Sequence, residues 1–439
     1  MKITILSCVV AGTFMSAFGN IGNAASQSSD TTNVLSLASV LAEVLTNNPT
    51  LKAADARWEA ARERIPQARA WDDPRLGFDQ RAGRFVSVPA NSFSDEKLMA
   101  EQTVPIAGKN RLRGDAATAE AASALEELRR KQLDVVSKAR AAYFRLANSY
   151  KQLELNRRNS DLLKQFAEIS RAKLTAGNGS QADVLSADTE LAKLDEAQFD
   201  FQREISEAKI ELNALMDRPP ETPLGHPEEL KFQPADLSLS DVEASTLSHR
   251  PELAIAQRNF EAAEARLAAA RKEWLPEPAL RVEADRYNGA AQAVSEVDVG
   301  FSINLPWFNR AKYRSAIREN ERLVEAAQHE LEAARTEALA LVADQFRAVE
   351  TFHHHTELYQ SKLLPLANQN VSARRVAYES DKATFLEILT ALQTSQDVEA
   401  MYWDHLMHYQ TALAQLEALV GTDLAAGQTN SIPEHHHEH

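Results

Sequence analysis

Three stretches of this chain contain neither glycine nor proline: Asp115–Ala176, Trp307–Leu364 and Leu366–Val420. These two residues are the strongest local breaks in regular structure, and an ordinary α/β enzyme needs turn residues about every ten positions. Runs this long exclude that design. They also exclude a collagen-like or low-complexity chain. Among 439 residues there are only 14 Gly and 16 Pro. Five of the prolines cluster at Pro219, Pro220, Pro223, Pro227 and Pro234. Very long helices are the first expectation.

Charge narrows the partners. Acidic residues outnumber basic ones by 63 to 48, a formal net charge of −15. Nucleic acid demands a basic surface, so it is not expected as a partner. Residues 1–25 read as a secretory signal peptide. Lys2 supplies the positive start, Ile3 to Phe18 the apolar run, and Gly22-Asn23-Ala24-Ala25 the small residues for cleavage. An uncleaved anchor helix is the rival, but the run is short for one. The sole cysteine, Cys8, falls in this segment. Ile5-Leu6-Ser7-Cys8 loosely resembles a lipoprotein cleavage box, yet it comes too early for an apolar core to precede it. The exported chain is therefore expected to carry no thiol and no disulfide. No later window holds the ~18 consecutive apolar residues of a membrane helix. Contact with a membrane must come from β-strands or from the surface.

The chain is written twice. Asn48-Pro49-Thr50-Leu51 returns as Arg250-Pro251-Glu252-Leu253, 202 positions on. Glu59-Ala60-Ala61 returns as Glu261-Ala262-Ala263, and Phe144-Arg145 as Phe346-Arg347. Leu212-Asn213-Ala214-Leu215 pairs with Leu416-Glu417-Ala418-Leu419. A repeat of this kind marks duplicated architecture. The plan is a first repeat over 26–218, a Pro-rich linker over 219–238, a second repeat over 239–421, and a flexible His-rich tail over 422–439. Each repeat opens with a helix, about Leu35 to Arg69 and about Leu239 to Lys272, with Ser36 and Ser240 as caps or first-turn residues.

Strand-like runs follow. Val297, Val299, Phe301, Ile303 and Leu305 alternate with Asp298, Gly300, Ser302 and Asn304, the period of a half-buried strand. Leu280, Val282 and Ala284 alternate with Arg281, Glu283 and Asp285. In the first repeat the pattern is noisier, at about 74–84 and 95–105; in the second the runs are about 279–287 and 295–306. Runs of ~9–11 residues suit tilted membrane strands, although two hairpins could also merely cap a helical bundle. The loops Phe85–Ser94 and Tyr287–Ala293 separate the strands. Long helices then run from about 107 to 176 and from about 310 to 380. At 1.5 Å per residue such helices extend ~105 Å, about three times the hydrocarbon thickness. They must project away from any membrane.

The fold class is thus mainly α with a small β part: two tandem repeats of very long antiparallel coiled-coil helices plus two β-hairpins. One chain supplies four strands, too few to close a membrane barrel of about eight or more. Several chains must share one barrel, because an open edge in lipid is not tolerated. Three chains give a ~12-stranded β-barrel and a ~12-helix α-barrel.

This plan resembles the TolC family of outer-membrane efflux conduits from about Leu35 to Gly421. The helix openings at Asn48-Pro49 and Arg250-Pro251 look like the family's N-P-x-L and R-P-E-L. Gln102-Thr103-Val104-Pro105-Ile106-Ala107-Gly108-Lys109 and Leu305-Pro306-Trp307-Phe308-Asn309-Arg310 are similar to its strand-to-helix elements, the first as in its cobalt–zinc–cadmium branch. Gly177-Asn178-Gly179-Ser180-Gln181-Ala182-Asp183-Val184-Leu185 resembles the helix-tip turn, while the second tip, Glu379 to Leu386, lacks the glycine. The resemblance implies a homotrimer in outer-membrane lipid with its helices in the periplasm. It implies a periplasmic adaptor protein and an inner-membrane RND-type pump as partners, no cofactor, and no enzyme activity. No phosphate loop and no nucleophile constellation contradicts this.

Gly177, Asn178, Gly179, Ser180, Asp183, Ser380, Asp381 and Thr384 are the expected adaptor-contact tips; a simple helix–helix turn explains part of the same pattern. Glycine permits positive φ there, and Ser180 can cap the return helix. Arg374, Arg375, Glu379 and Asp381 are candidates for a charged pore constriction, against the plainer reading of a solvated face. Twelve histidines include His353, His354 and His355 and, at the end, His435, His436, His437 and His439. They are candidate weak sites for borderline metals. Consecutive helical histidines point in different directions, whereas His405 and His408 have helical ligand spacing. Together with the acidic balance, this tilts the cargo toward divalent heavy-metal cations. The alternatives are drugs or other organic compounds, type I secretion by the same conduit, or a periplasmic coiled-coil adaptor or scaffold.

Overall fold

The computed structural model describes residues 34–82, 85, 94–287, 291–380, 382–422 and 424. The expected signal peptide, Asp381 and the tail histidines His435, His436, His437 and His439 lie outside the described residues. The described residues belong to a single unit that begins at Val34.

The repeat written in the sequence is visible in the elements. Helices α1 (Leu37–Asn47) and α2 (Pro49–Arg69) have counterparts in α5 (Leu239–His249) and α6 (Pro251–Lys272). Sequence alone suggests one helix in each place. The structure divides both, and the reason is the proline. A residue before proline is pushed out of the α region; Asn48 sits at φ −56°, ψ 121° and Arg250 at φ −66°, ψ 121°. Asn48 turns the break into a cap, since its Oδ1 accepts from the Thr50 and Leu51 amides at 2.9 and 3.3 Å. Ser36 caps α1. Ser238 caps α5, and Ser240 falls in its first turn.

Four strands form one antiparallel sheet in the order β2 (Arg75–Gln80), β3 (Ser94–Thr103), β5 (Pro278–Tyr287), β6 (Glu296–Ile303). A separate short parallel pair joins β1 (Val34–Leu35) to β4 (His226–Pro227). The two hairpins of the duplicated unit thus meet at β3–β5, with Leu98 opposite Ala284 and Glu101 opposite Arg281. Among the described residues, both outer strands, β2 and β6, have one edge unpaired within the chain.

The long helix of the first repeat is α3 (Lys109–Thr175), 67 residues without interruption, hence about 100 Å. It returns through α4 (Gln181–Leu215). Its counterpart is not uniform. It consists of α7 (Arg310–Leu358), a π-helical turn over Tyr359–Leu363, and α8 (Leu364–Glu379). The expectation of one helix over 310–380 needs that correction. Pro365 has no amide for the carbonyl four residues back, and its ring would crowd that carbonyl. The backbone widens just before it, and the Leu364 amide reaches the Tyr359 carbonyl instead. The return helix is α9 (Phe385–Val420).

Small residues let these helices pack closely. Ala139, Ala142, Ala167, Ala187 and Ala208 are fully buried, with Leu146, Leu212, Leu406 and Leu416 filling the spaces. The Pro-rich linker is fastened by two tyrosines. The Tyr143 hydroxyl donates to the Leu35 carbonyl at 2.8 Å and accepts from the Glu228 amide at 3.0 Å. The Tyr409 hydroxyl donates to the Gln233 carbonyl at 3.1 Å and accepts from the Ala235 amide at 3.0 Å. Burial pushes both phenols above the ordinary tyrosine value.

Candidate functional site

Strand register sorts the sheet into two chemistries. On one face Leu76, Phe78, Leu98, Leu280, Val282, Val297, Val299 and Phe301 all stand exposed. So many exposed apolar side chains on one face require a non-aqueous neighbour. The face ends in polar residues at one margin, where Glu96 pairs with Arg286 at 3.4 Å. Trp71, Trp307 and Phe308 are exposed beside the sheet on its helix side, as expected of aromatic anchors at a membrane interface.

The opposite face is an ionic lattice. Lys97 lies 2.7 Å from Glu283 and 4.0 Å from Asp285. Arg281 pairs with Glu101 at 3.1 Å and Glu283 at 3.2 Å. Acidic side chains are in surplus here. Asp79, Glu101, Glu283, Asp285, Glu296 and Asp298 share the face with Arg75, Lys97 and Arg281. Carboxylate oxygens of Glu283, Asp285 and Asp298 lie within 4.8 Å of one another. A strand pair with one apolar and one charged face belongs in a barrel wall, lipid outside and water inside.

The junction between sheet and helices carries a buried lysine. Ala107 and Gly108 both have positive φ, 59° and 72°, which turns the chain from β3 into α3. This aims Lys109 inward, where it is 1% exposed. Its Nζ donates to the Leu275 carbonyl at 2.9 Å and pairs with Glu277, also at 2.9 Å. The first repeat is thereby tied to the second at the mouth of the sheet.

At the far end the structure brings the two expected tips together. Leu163, Phe166 and Ala187 from the first tip share a core with Tyr378, Phe385 and Ile388 from the second, and Lys173 lies over the Tyr378 ring at 4.1 Å. α3 ends in a Schellman closure. The Asn178 amide reaches the Lys173 carbonyl at 2.9 Å and the Gly177 amide the Leu174 carbonyl at 3.0 Å. Gly177 has φ +77°. Gly179 does not share the positive φ expected of it. It is needed for closeness, since a Cβ there would stand 2.6 Å from the Leu174 amide nitrogen. The Ser180 hydroxyl accepts from the Ala182 amide at 3.1 Å and caps α4, with Asp183 in the first turn. At the glycine-free tip, Lys382 bonds to the Ala377 carbonyl at 2.8 Å, Ser380 is the C-cap of α8, and Thr384 with Glu387 forms a capping box. The Thr384 amide and hydroxyl, then Arg374, hold the Glu387 carboxyl below its ordinary value. Arg374 pairs with Glu387 at 2.9 Å and Arg375 with Glu379 at 3.0 Å. These ion pairs are exposed and lie within one protomer.

The three consecutive histidines diverge. His353 packs on Phe232 and Tyr409, with ring centroids 5.5 and 5.8 Å away. His354 is exposed. His355 faces His405 on α9, centroids 4.9 Å apart. Burial, then the neighbouring His355, keeps His405 below the ordinary histidine value. His408 stacks on Phe352 at 5.1 Å. Pairing of α7 with α9 is long-range in sequence, so spacing could flag His405 and His408 but not their partner.

An amphipathic sheet with open edges, joined to helices far longer than a bilayer is thick, defines a membrane conduit assembled from several copies. No described helix is long and apolar enough to cross a membrane. The chain belongs to the outer membrane efflux protein family, which it matches over residues 40–218 and 244–422. It is 22% identical to the cobalt-zinc-cadmium resistance protein CzcC of Cupriavidus metallidurans over 397 residues, 88% of this chain and 90% of that one. Its identity to the nickel-cobalt-cadmium resistance protein NccC of Alcaligenes xylosoxydans xylosoxydans is 23%, covering 69% and 67%. Identity to the alkaline protease secretion protein AprF of Pseudomonas aeruginosa is also 23%, covering 88% and 86%. Among solved structures, the outer-membrane channel OprN superposes with a TM-score of 0.74 at 20% identity, over 88% of this chain and 90% of that one. CusC gives 0.74 at 17% identity, over 88% and 92%. The protein is the outer-membrane channel component of a tripartite efflux system. It is a trimer with its helices in the periplasm, it works with an adaptor and an inner-membrane pump, and it is not an enzyme.

Proposed function

We propose that this channel conducts divalent heavy-metal cations. The acidic surplus on the polar face of the sheet carries the reading. Closed threefold, that face becomes the lumen, and a wall with more carboxylates than cations concentrates counter-ions of positive charge. The likeness to CzcC and NccC, both named for metal resistance, supports the same cargo. AprF, named for protease secretion, favours the rival, a conduit for polypeptide or organic cargo.

Gly177, Asn178, Gly179, Ser180, Asp183, Ser380, Asp381 and Thr384 form the adaptor contact and periplasmic entrance in this reading, and Arg374, Arg375, Glu379 and Asp381 would ring it. The shared core beneath the two tips supports a joint docking surface. Reversal potentials of purified trimers in planar bilayers test the cargo claim. Cation selectivity is expected in the parent, and it should fall when Glu283→Gln, Asp285→Asn and Asp298→Asn are combined. An anion-selective or unselective parent contradicts it.

A further inference from the structure

His355 on α7 and His405 on α9 are 50 positions apart in sequence, yet their rings meet at 4.9 Å with 55° between planes. The Nδ1 atom of each is buried and has no hydrogen-bond partner among the described residues. Two such orphaned nitrogens in one contact are costly unless something joins them. The neighbours do not. Phe352 lies 6.4 Å from each ring. Tyr359 stands edge-on to His405 at 4.9 Å, but its hydroxyl is turned to the Met401 sulfur at 3.3 Å. Asp404, next to His405, is held by Asn148 and Gln152 on α3 at 2.7 and 3.1 Å.

An imidazole nitrogen binds a borderline metal at about 2.0–2.1 Å, which puts two rings on one tetrahedral ion with centroids roughly 5 Å apart. The observed separation fits. We propose that His355 and His405 together bind one transition-metal ion, of the class Zn²⁺, Co²⁺, Ni²⁺ or Cu²⁺, between α7 and α9. Both residues are only half-buried, so the pair lies close to the surface. Two protein nitrogens leave the remaining positions to water, giving a site that exchanges its ion readily. The π-helical turn begins at Tyr359, one helical turn beyond His355, and such turns recur at functional sites. The site does not depend on the cargo reading: it concerns binding by the wall, not passage through the lumen.

The test uses the full-length trimer in detergent, with His435, His436, His437 and His439 changed to Ser so that the tail binds nothing. Cobalt(II) alone is titrated and its visible d–d absorption recorded. One ion per protomer is expected. His355→Asn and His405→Asn should each weaken binding at least tenfold, while His354→Asn leaves it unchanged. Helical circular dichroism confirms that the variants fold. His405→Cys should restore binding, with a new thiolate-to-cobalt charge-transfer band. No cobalt bound to the parent, or equal binding by the His405→Asn protein, overturns the proposal.

Discussion

The Lys109 ammonium, 1% exposed, lies 2.9 Å from the Glu277 carboxylate across the boundary between the two repeats. Removing one member of a fully buried pair typically costs about 3–5 kcal/mol. Glu277 keeps 24% of its side chain exposed, so Lys109→Ala should cost less, about 2–3 kcal/mol. Glu277→Gln retains an acceptor and should be milder. The check is the denaturation midpoint of the trimer, in the order parent, Glu277→Gln, Lys109→Ala.

Lipid and lumen faces should respond oppositely to charge. Val299 is 72% exposed in the middle of β6, on the apolar face. Val299→Arg should destabilise the barrel by about 2–4 kcal/mol, as charges at the bilayer midplane do. Its sequence neighbour Asp298 faces the other way, opposite Glu283, and Asp298→Asn should leave assembly intact. The amount of trimer recovered from outer membranes separates the two.

The tip glycines have different duties, and substitution should show it. Gly177→Ala forces a side chain into positive φ where nothing crowds it, a strain of about 1 kcal/mol. Gly179→Ala places a methyl against the α3 backbone, and the turn must open. Export should be weakened in the first and lost in the second, with trimers retained in both. Cross-linking to the adaptor reports whether docking is the step that fails.

His405 makes stability depend on pH. Its value in the folded protein is lowered by burial first, so the unfolded chain binds more protons near and below the ordinary value of about 6.5. Stability therefore rises as pH increases through that region and is lost toward acid. The thermal midpoint should fall between pH 7.5 and 5.5, and less steeply in His405→Asn.

Much of this was legible in the sequence, for physical reasons that differ by element. β6 announced itself because Val297, Val299 and Phe301 alternate cleanly with polar residues. β2 and β3 were noisier because Gln80, Glu96 and Gln102 occupy the apolar face near its margins, where polar groups are tolerated. The break before Pro49 and Pro251 was written in the Asn-Pro and Arg-Pro pairs. The π-helical turn was signalled by Pro365 without its form being predictable. Lys109–Glu277 and His355–His405 were not legible at all. Each joins residues whose meeting depends on how long helices pack, and no local pattern encodes that.

The most direct measurement is the metal burden of cells that lack this protein. Deletion should raise intracellular zinc, cobalt or cadmium and lower the concentration of those ions that stops growth, with restoration by the intact gene. Tolerance of drugs and solvents should stay as it was. Unchanged metal content, together with new sensitivity to organic compounds or a halt in polypeptide secretion, would contradict the account of a cation conduit.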